Sequence, residues 1–183
     1  MSNSNIITLY HGSIYEFDAI DVTRGRANKD FGRGFYTSRD ARHAERLAAR
    51  NREIEQERYA LRGRTVSVTP LLYTYEFDLR ETEKLNVKEF LVPDGEWMRF
   101  VVLNRMSREK QHSFDIVIGA TANDNTRVSI QTVLSAAGGQ VLTEKAIDAL
   151  IALVEPNNLP AQFFFGSQHA ADLLQFKGRR IIR

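Results

Sequence analysis

The sequence contains no cysteine, which excludes disulfide staples, thiolate chemistry and the usual zinc knuckles together. It has no apolar run near the roughly 18 residues that would suggest a membrane span, no internal repeat and no low-complexity tract. The residues Met1 to Asn5 are small and polar, without a basic segment followed by an apolar one, so no secretory signal is visible. A soluble protein with a cytoplasmic site of action and no membrane association is the expectation. One-sided charge is also missing. Twenty-five Lys and Arg stand against 23 Asp and Glu, a net charge of +2, and so small an excess does not argue for nucleic acid. What is present is 43% hydrophobic and 10% aromatic residue content in 183 residues, enough for one substantial core and hence one domain over 1–183.

Along the chain, Ile6, Ile7, Thr8, Leu9 and Tyr10 form a β-favouring run that stops at Gly12, which puts His11 at a strand end. Ser13 to Asp30 reads as a long ordered loop. Gly32 and Gly34 then bracket Arg33 before a second short strand at Phe35 and Tyr36. Ser38 is placed to cap a helix with Asp40 in its first turn and Ala41, Ala44, Leu47, Ala48 and Ala49 as its buried stripe, running to about Arg58. Alternation from Val66 to Phe77 predicts a long strand or hairpin arm ending near Asp78. Pro93, Asp94 and Gly95 open a helix with Trp97, Phe100, Val101 and Asn104 on one face, and Phe114 to Ile118 is a buried strand closed by Gly119. Ile130, Val133, Leu134 and Ala137 mark a helix ending at Gly138 and Gly139. Thr143 caps another that Pro156 ends. The strand Ala161 to Phe165, a short helix after Ser167 and a final strand Arg179 to Ile182 complete an α+β fold.

The chemistry-bearing constellation is Tyr10-His11-Gly12-Ser13 at a strand end, followed by Asp30-Phe31-Gly32-Arg33-Gly34-Phe35-Tyr36-Thr37-Ser38 leading into a helix. Glycines at such points let the backbone approach a ligand, and two strand ends can converge on a cleft. Gly32-Arg33-Gly34 is too short for a Rossmann fingerprint or a P-loop. His43, His112 and His169 have no metal-ligand spacing and read as surface residues, so no metal is expected. Asp115 reads as structural, with an ion pair to Arg105 as one explanation. The arginines at 24, 26 and 33, along 39–64 and at 179, 180 and 183 read as a solvated helix face and a chain end before they read as a polyanion patch.

This pattern resembles the ADP-ribosyltransferase superfamily, in particular the clade of poly(ADP-ribose) polymerases and diphtheria toxin, whose signature is His, Tyr, then Glu or a substitute. Most of the chain is also similar to a bacterial family of predicted members long catalogued as a domain of unknown function. The similarity runs in order through Leu9 to Ser13, Asp30 to Thr37, Trp97 to Val102 with Asn104 and Arg105, Phe114-Asp115-Ile116-Val117-Ile118-Gly119 with Ala122-Asn123-Asp124, and Gln162-Phe163-Phe164-Phe165. It implies a split pair of small β-sheets with a nicotinamide cleft between them. It also implies NAD as the substrate, with His11, Tyr36 and Gln162 as the defining residues.

NAD carries a flat cationic ring with a carboxamide, which calls for an aromatic face and backbone hydrogen bonds. The resemblance gives Tyr36 the first role and Gly12 the second, with Ser13 adding a bond to the carboxamide and His11 donating to a ribose hydroxyl. Phe31, Gly32, Arg33, Gly34 and Phe35 complete the expected cofactor-binding set, Arg33 as a contact to the pyrophosphate. Gln162 stands where an acceptor near the ribose is needed; an amide has no charge and cannot act as a base, which favours transfer of a single ADP-ribose. Glu155 ranks below it, and Leu47 falls where related enzymes place a second aromatic. The implied activity is mono-ADP-ribosyl transfer to a macromolecular acceptor, protein or alternatively RNA or DNA, by a bacterial toxin or phage-defence effector with a possible antitoxin partner. The rival is a catalytically degenerate NAD-, nucleotide- or protein-binding module.

Overall fold

A computed structural model describes residues 5–122, 126–136, 143–154 and 160–183. Its elements are β1 (Ile6–Ser13), a 3-10 turn at Val22–Arg24, β2 (Phe35–Ser38), α1 (Ala41–Ala60), β3 (Leu71–Asp78), a 3-10 segment at Leu79–Lys84, β4 (Val87–Glu89), α2 (Gly95–Met106), β5 (Ile116–Ala120), α3 (Thr126–Ala136), α4 (Glu144–Val154), β6 (Ala161–Phe165), α5 (Gln168–Ala171) and β7 (Gln175–Ile181). The strands form one seven-stranded sheet in the order β4-β5-β6-β2-β1-β3-β7, so the fold is α+β as expected. No helix among the described residues is long and apolar enough to cross a membrane.

The expected pair of small sheets is here a single sheet with a weak seam. β1 pairs with β3 along its whole length, from Ile6↔Asp78 to Ser13↔Leu71, but meets β2 only at Tyr10↔Ser38. On the far side β2 pairs fully with β6, from Phe35↔Phe165 to Ser38↔Gln162. The sheet also bends there. β3 and β6 have two strands between them, about 14 Å apart in a flat sheet, yet the rings of Phe77 and Phe165 lie 5.5 Å apart, and Phe35 of β2 reaches Tyr75 of β3 across β1 at 5.7 Å. The two halves therefore fold toward each other around a shared core containing Leu9, Phe35, Tyr73, Tyr75, Phe77, Phe163 and Phe165. A second cluster, with Phe31, Phe90, Trp97, Met98, Val101, Val117, Ile130, Ile147 and Phe164, packs α2, α3 and α4 against the β5–β6 half. Period-two alternation in β6 explains the division, since Phe163 and Phe165 go to one core and Phe164 to the other.

Several local expectations shift. Asp40, not Ser38, caps α1: its carboxylate accepts the Arg42 N–H, while Ser38 Oγ accepts the Asp40 N–H and donates to the Ala161 carbonyl. The buried face of α1 carries His43, Ala44, Ala48 and Glu55, whereas Leu47 is 40% exposed. A helix laid across β1 needs small residues at the contact, and alanine supplies them better than leucine. β3 begins at Leu71, with 64–70 irregular, and β7 begins at Gln175, earlier than expected. Glu155, Pro156, Ala137, Gly138, Gly139, Asn123 and Asp124 lie outside the described residues.

Candidate functional site

The seam between β1 and β2 is where His11 sits. Past Tyr10 the two strands part, so a main-chain group of β2 loses its natural partner on β1. The His11 ring takes that partner's place, with Nδ1 2.7 Å from the Tyr36 carbonyl oxygen. A carbonyl only accepts, so Nδ1 carries the proton. The ring is partly buried, tilted over Phe35 at 4.3 Å and edge-on to Phe17 at 5.9 Å. Burial, opposed by the bond to Tyr36, lowers its pKa from 6.5 to about 4. At neutral pH the imidazole is therefore uncharged, and Nε2 is a lone-pair acceptor with no partner among the described residues. The donor role expected for His11 toward a ribose hydroxyl is thus not open to the neutral ring; it can accept from one.

This lowered pKa has a measurable consequence. In the unfolded chain His11 takes up a proton near pH 6.5, but in the folded chain only near pH 4. The unfolded state binds more protons in between, so stability falls as pH is lowered through that window, with a limiting slope of ~1.4 kcal/mol per pH unit for one residue. Urea denaturation of wild type and His11→Gln between pH 7 and 4.5 should show a shallower loss in the variant. His112, whose pKa burial also lowers, adds to the slope in both proteins and so cancels in the comparison. Parallel curves would sink the assignment of a buried neutral ring.

Gly12 and Ser13 follow on β1. An added Cβ at Gly12 would overlap the Ala44 carbonyl oxygen and come within 3.1 Å of Ala48 Cβ, so Gly12 is required by the seating of α1 on β1. Ser13 Oγ donates to the Tyr15 carbonyl at 2.8 Å and accepts the Tyr15 N–H at 3.0 Å, closing a local turn that already occupies the hydroxyl expected to face a carboxamide. The structure brings His11 and Tyr36 together only through the Tyr36 main chain. The Tyr36 side chain packs beside Phe164 at 5.0 Å and Phe31 at 6.5 Å. Its hydroxyl donates to the Gly32 carbonyl at 2.7 Å and accepts the Phe31 N–H at 3.0 Å. Burial, with the Asp30 charge nearby, pushes the phenol well above its ordinary pKa, so it stays protonated as the clasp of the 31–36 loop.

The residue at the centre of the network, Asp30, heads the glycine motif in the sequence, where nothing assigns it a role of its own. It is 4% exposed. Oδ1 receives Nε of Arg105 at 2.6 Å and Nη2 at 2.5 Å, while Oδ2 receives the Ala122 N–H at 3.0 Å and Nε2 of Gln162 at 2.7 Å. Gln162, 8% exposed, also donates to the Ala120 carbonyl at 3.2 Å. One carboxylate thus ties β6, α2, the end of β5 and the glycine loop together. Arg105 is accordingly partnered by Asp30, correcting the pairing considered for Asp115, whose carboxylate accepts the Asn86 N–H. The signal for this hub was a lone aspartate ahead of a buried phenylalanine and an Asn-Arg pair closing a helix. Sequence gives no way to pair residues 75 positions apart.

The remaining expected contacts divide. Phe31 is fully buried in the helix-side core, and Phe35, 7% exposed, packs in the shared core under the His11 ring. Gly32, at φ +86°, faces Asn104 Oδ1, a buried oxygen without a hydrogen-bond partner among the described residues. Gly34 leaves no room for a Cβ against Phe164 and the Phe165 carbonyl. Arg33 is exposed. Leu47 is 40% exposed on α1. Of the histidines expected on the surface, His43 is 7% exposed and His112 is held between the Phe31 carbonyl and the Phe114 N–H; only His169 is exposed. The C-terminal arginines are neutralised locally, Arg179 by Glu16 and Asp18 and Arg180 by Glu45. A concavity of about 550 Å³ beside the site is lined by Phe17, Tyr73, Tyr75, Leu174, Phe176 and Arg179 among others; Phe17 and Tyr73 also contact the His11 ring.

No curated protein and no solved structure matches the chain. One family profile does, over residues 7–176, a span that holds His11, the glycine loop, Asp30, Arg105 and Gln162. The chain belongs to the family described as "Protein of unknown function (DUF3990)".

Proposed function

We propose that this chain is an NAD-dependent mono-ADP-ribosyltransferase that acts on a macromolecular acceptor. The observation that carries the reading is the His11 ring at the strand seam, neutral, with Nδ1–H bonded to the Tyr36 carbonyl and Nε2 left as an acceptor. It stands two strands from Gln162, whose Oε1 is likewise an acceptor without a partner among the described residues. Two preset acceptors suit a ribose, which presents hydroxyl donors. The sequence resemblance supplies the chemistry: the acceptor's lone pair forms a bond to the nicotinamide ribose carbon, and the carbon–nitrogen bond breaks. Its electron pair neutralises the pyridinium of the departing nicotinamide, and the acceptor's proton goes to solvent. Positive charge develops on the ribose as the bond stretches, so an oxygen acceptor near its hydroxyls helps most in the transition state. An amide cannot take the proton of an incoming sugar hydroxyl, and transfer stops at one unit.

The same reading makes the protein a bacterial toxin or defence effector working in the cytoplasm, with an antitoxin as partner. A second reading, a catalytically degenerate binding module, is favoured by one observation: the Ser13 and Tyr36 hydroxyls and the Gln162 amide nitrogen are all internally satisfied.

Nicotinamide release from NAD by purified wild type, His11→Ala and Gln162→Ala, with and without cell lysate as acceptor, decides between them. Release that rises with lysate and falls at least a hundredfold in His11→Ala is the expected result. An absence of both release and NAD binding would leave the binding module.

A further inference from the structure

The side-chain amide of Gln162 has only one orientation that its surroundings accept. Nε2 donates to Asp30 Oδ2 at 2.7 Å and to the Ala120 carbonyl at 3.2 Å. Both partners are pure acceptors, so the reversed amide would set Oε1 against a carboxylate and a carbonyl with no hydrogen between them. Asp30 is held in turn. Arg105 grips Oδ1 through Nε and Nη2, the Ala122 N–H occupies Oδ2, and the two side chains of the ion pair are 5% and 14% exposed, so water competes little for these positions.

We propose that Asp30 is a positioning residue that clamps the Gln162 amide and leaves Oε1 as the group offered to a ligand hydroxyl. The clamp requires an uncharged residue at 162. A glutamate there would place a second carboxylate at hydrogen-bond distance from Asp30 Oδ2, with no donor between them, while the Arg105 guanidinium stays engaged on Oδ1. Glutamine is therefore the residue this scaffold is built around, not a weakened glutamate. The inference rests on the reading in which Gln162 meets the ribose, but its physical core, the clamp, has readouts of its own.

The experiment compares wild type, Asp30→Asn, Gln162→Glu and the swap Asp30→Asn/Gln162→Glu, which moves the carboxylate across the same hydrogen bond and keeps one negative charge near Arg105. Nitrogen-15 NMR should show the Gln162 side-chain N–H pair shifted and slow to exchange in wild type, and collapsed to the free-amide position in Asp30→Asn. The thermal midpoint of Gln162→Glu should fall by on the order of 10 °C, and the swap should regain part of that, since its carboxylate at 162 still faces the Ala120 carbonyl. Nicotinamide release by Asp30→Asn, expressed per folded molecule with the folded fraction fixed by circular dichroism, should drop about 10- to 100-fold in kcat with KM little changed. Normalisation is required because loss of folded protein alone also lowers apparent kcat at constant KM. Gln162 resonances indifferent to Asp30→Asn, or a Gln162→Glu variant as stable as wild type, overturn the proposal. A wild type that releases no nicotinamide while the resonance and stability pattern holds would sink the transferase reading and leave the clamp standing.

Discussion

Arg105→Met is expected to destabilise the protein by about 3–5 kcal/mol, a drop of roughly 10 °C in thermal midpoint for a chain of this size. The cost does not come from the ion pair's net value, which for a buried pair is often small, but from what the substitution leaves behind. Asp30 stays 4% exposed with the Ala122 N–H and the Gln162 amide as its only remaining donors among the described residues, neither of them charged. The same argument predicts the behaviour of the double variant. Asp30→Leu/Arg105→Met removes both charges and should recover part of the loss, the Ala122 N–H and the Gln162 amide being left without their acceptor, so urea denaturation of the two singles and the double closes a cycle. A single Arg105→Met that costs under about 1 kcal/mol would mean that water reaches Asp30 and that the hub is not sealed. Arg105 also helps hold the loop before Asp30 by its backbone, because its carbonyl and that of Ser107 both accept from the Asn28 amide. Asn28 itself sits at φ +61°, a conformation asparagine tolerates better than most residues. Those bonds survive the substitution, so the loss is expected to be electrostatic and not a general unravelling.

Gly12→Ala should be comparably harmful for a different reason. Overpacking a well-filled interior costs about 1–3 kcal/mol and occasionally more, and here the clash falls on main-chain atoms of Ala44, with Ala44 C 2.9 Å from the new methyl. Neither a rotamer change nor a local shift of a flexible side chain can relieve it, so α1 must lift from β1. The expected cost is about 3 kcal/mol or more, seen as a lowered urea midpoint or as insoluble protein. Gly63→Ala is the matched control. Gly63 has φ +67° and open space within 4 Å, so only backbone strain opposes the methyl, about 1–2 kcal/mol. If Gly12→Ala proved milder than Gly63→Ala, the tight seating of α1 would be wrong. The comparison also bears on function: a Gly12→Ala protein without activity says nothing about a contact between Gly12 and nicotinamide, because the helix is displaced as well.

Much of the fold was legible in the sequence. Strands built on alternation, such as β3 with Tyr73, Tyr75 and Phe77 inward, and helices opened by a capping carboxylate or hydroxyl, such as α2 behind Asp94 and α5 behind Ser167, stand where local physics puts them. β4 escaped notice because three residues, Val87–Glu89, carry too little pattern to register. The site was legible only in part. His11 could be placed at a strand end from its neighbours, but its tautomer depends on the Tyr36 carbonyl, 25 residues away. Gln162 could be placed on a strand, yet its orientation depends on Asp30, 132 residues away. That Phe31 and Phe35 pack in the two cores was not legible, because the glycines beside them serve close packing of the loop against Asn104 and Phe164. Periodicity reports which face of an element is apolar; it carries no record of which polar groups from distant elements meet.

The strand order sets the course of folding as well as the shape of the site. One half of the sheet, β1-β3-β7, is assembled from 6–13, 71–78 and 175–181, and the other from 35–38, 87–89, 116–120 and 161–165. Neither half is contiguous in the chain, and each waits for a strand from the last quarter of the described residues. Long-range pairing of this kind slows folding, because loop closure must precede the contacts that reward it. During synthesis, β1 and β3 emerge long before β6 and β7, so Phe77 lacks its partner Phe165 until β6 has been made. Completion of either half of the sheet is thus expected only after β6 and β7 have been made.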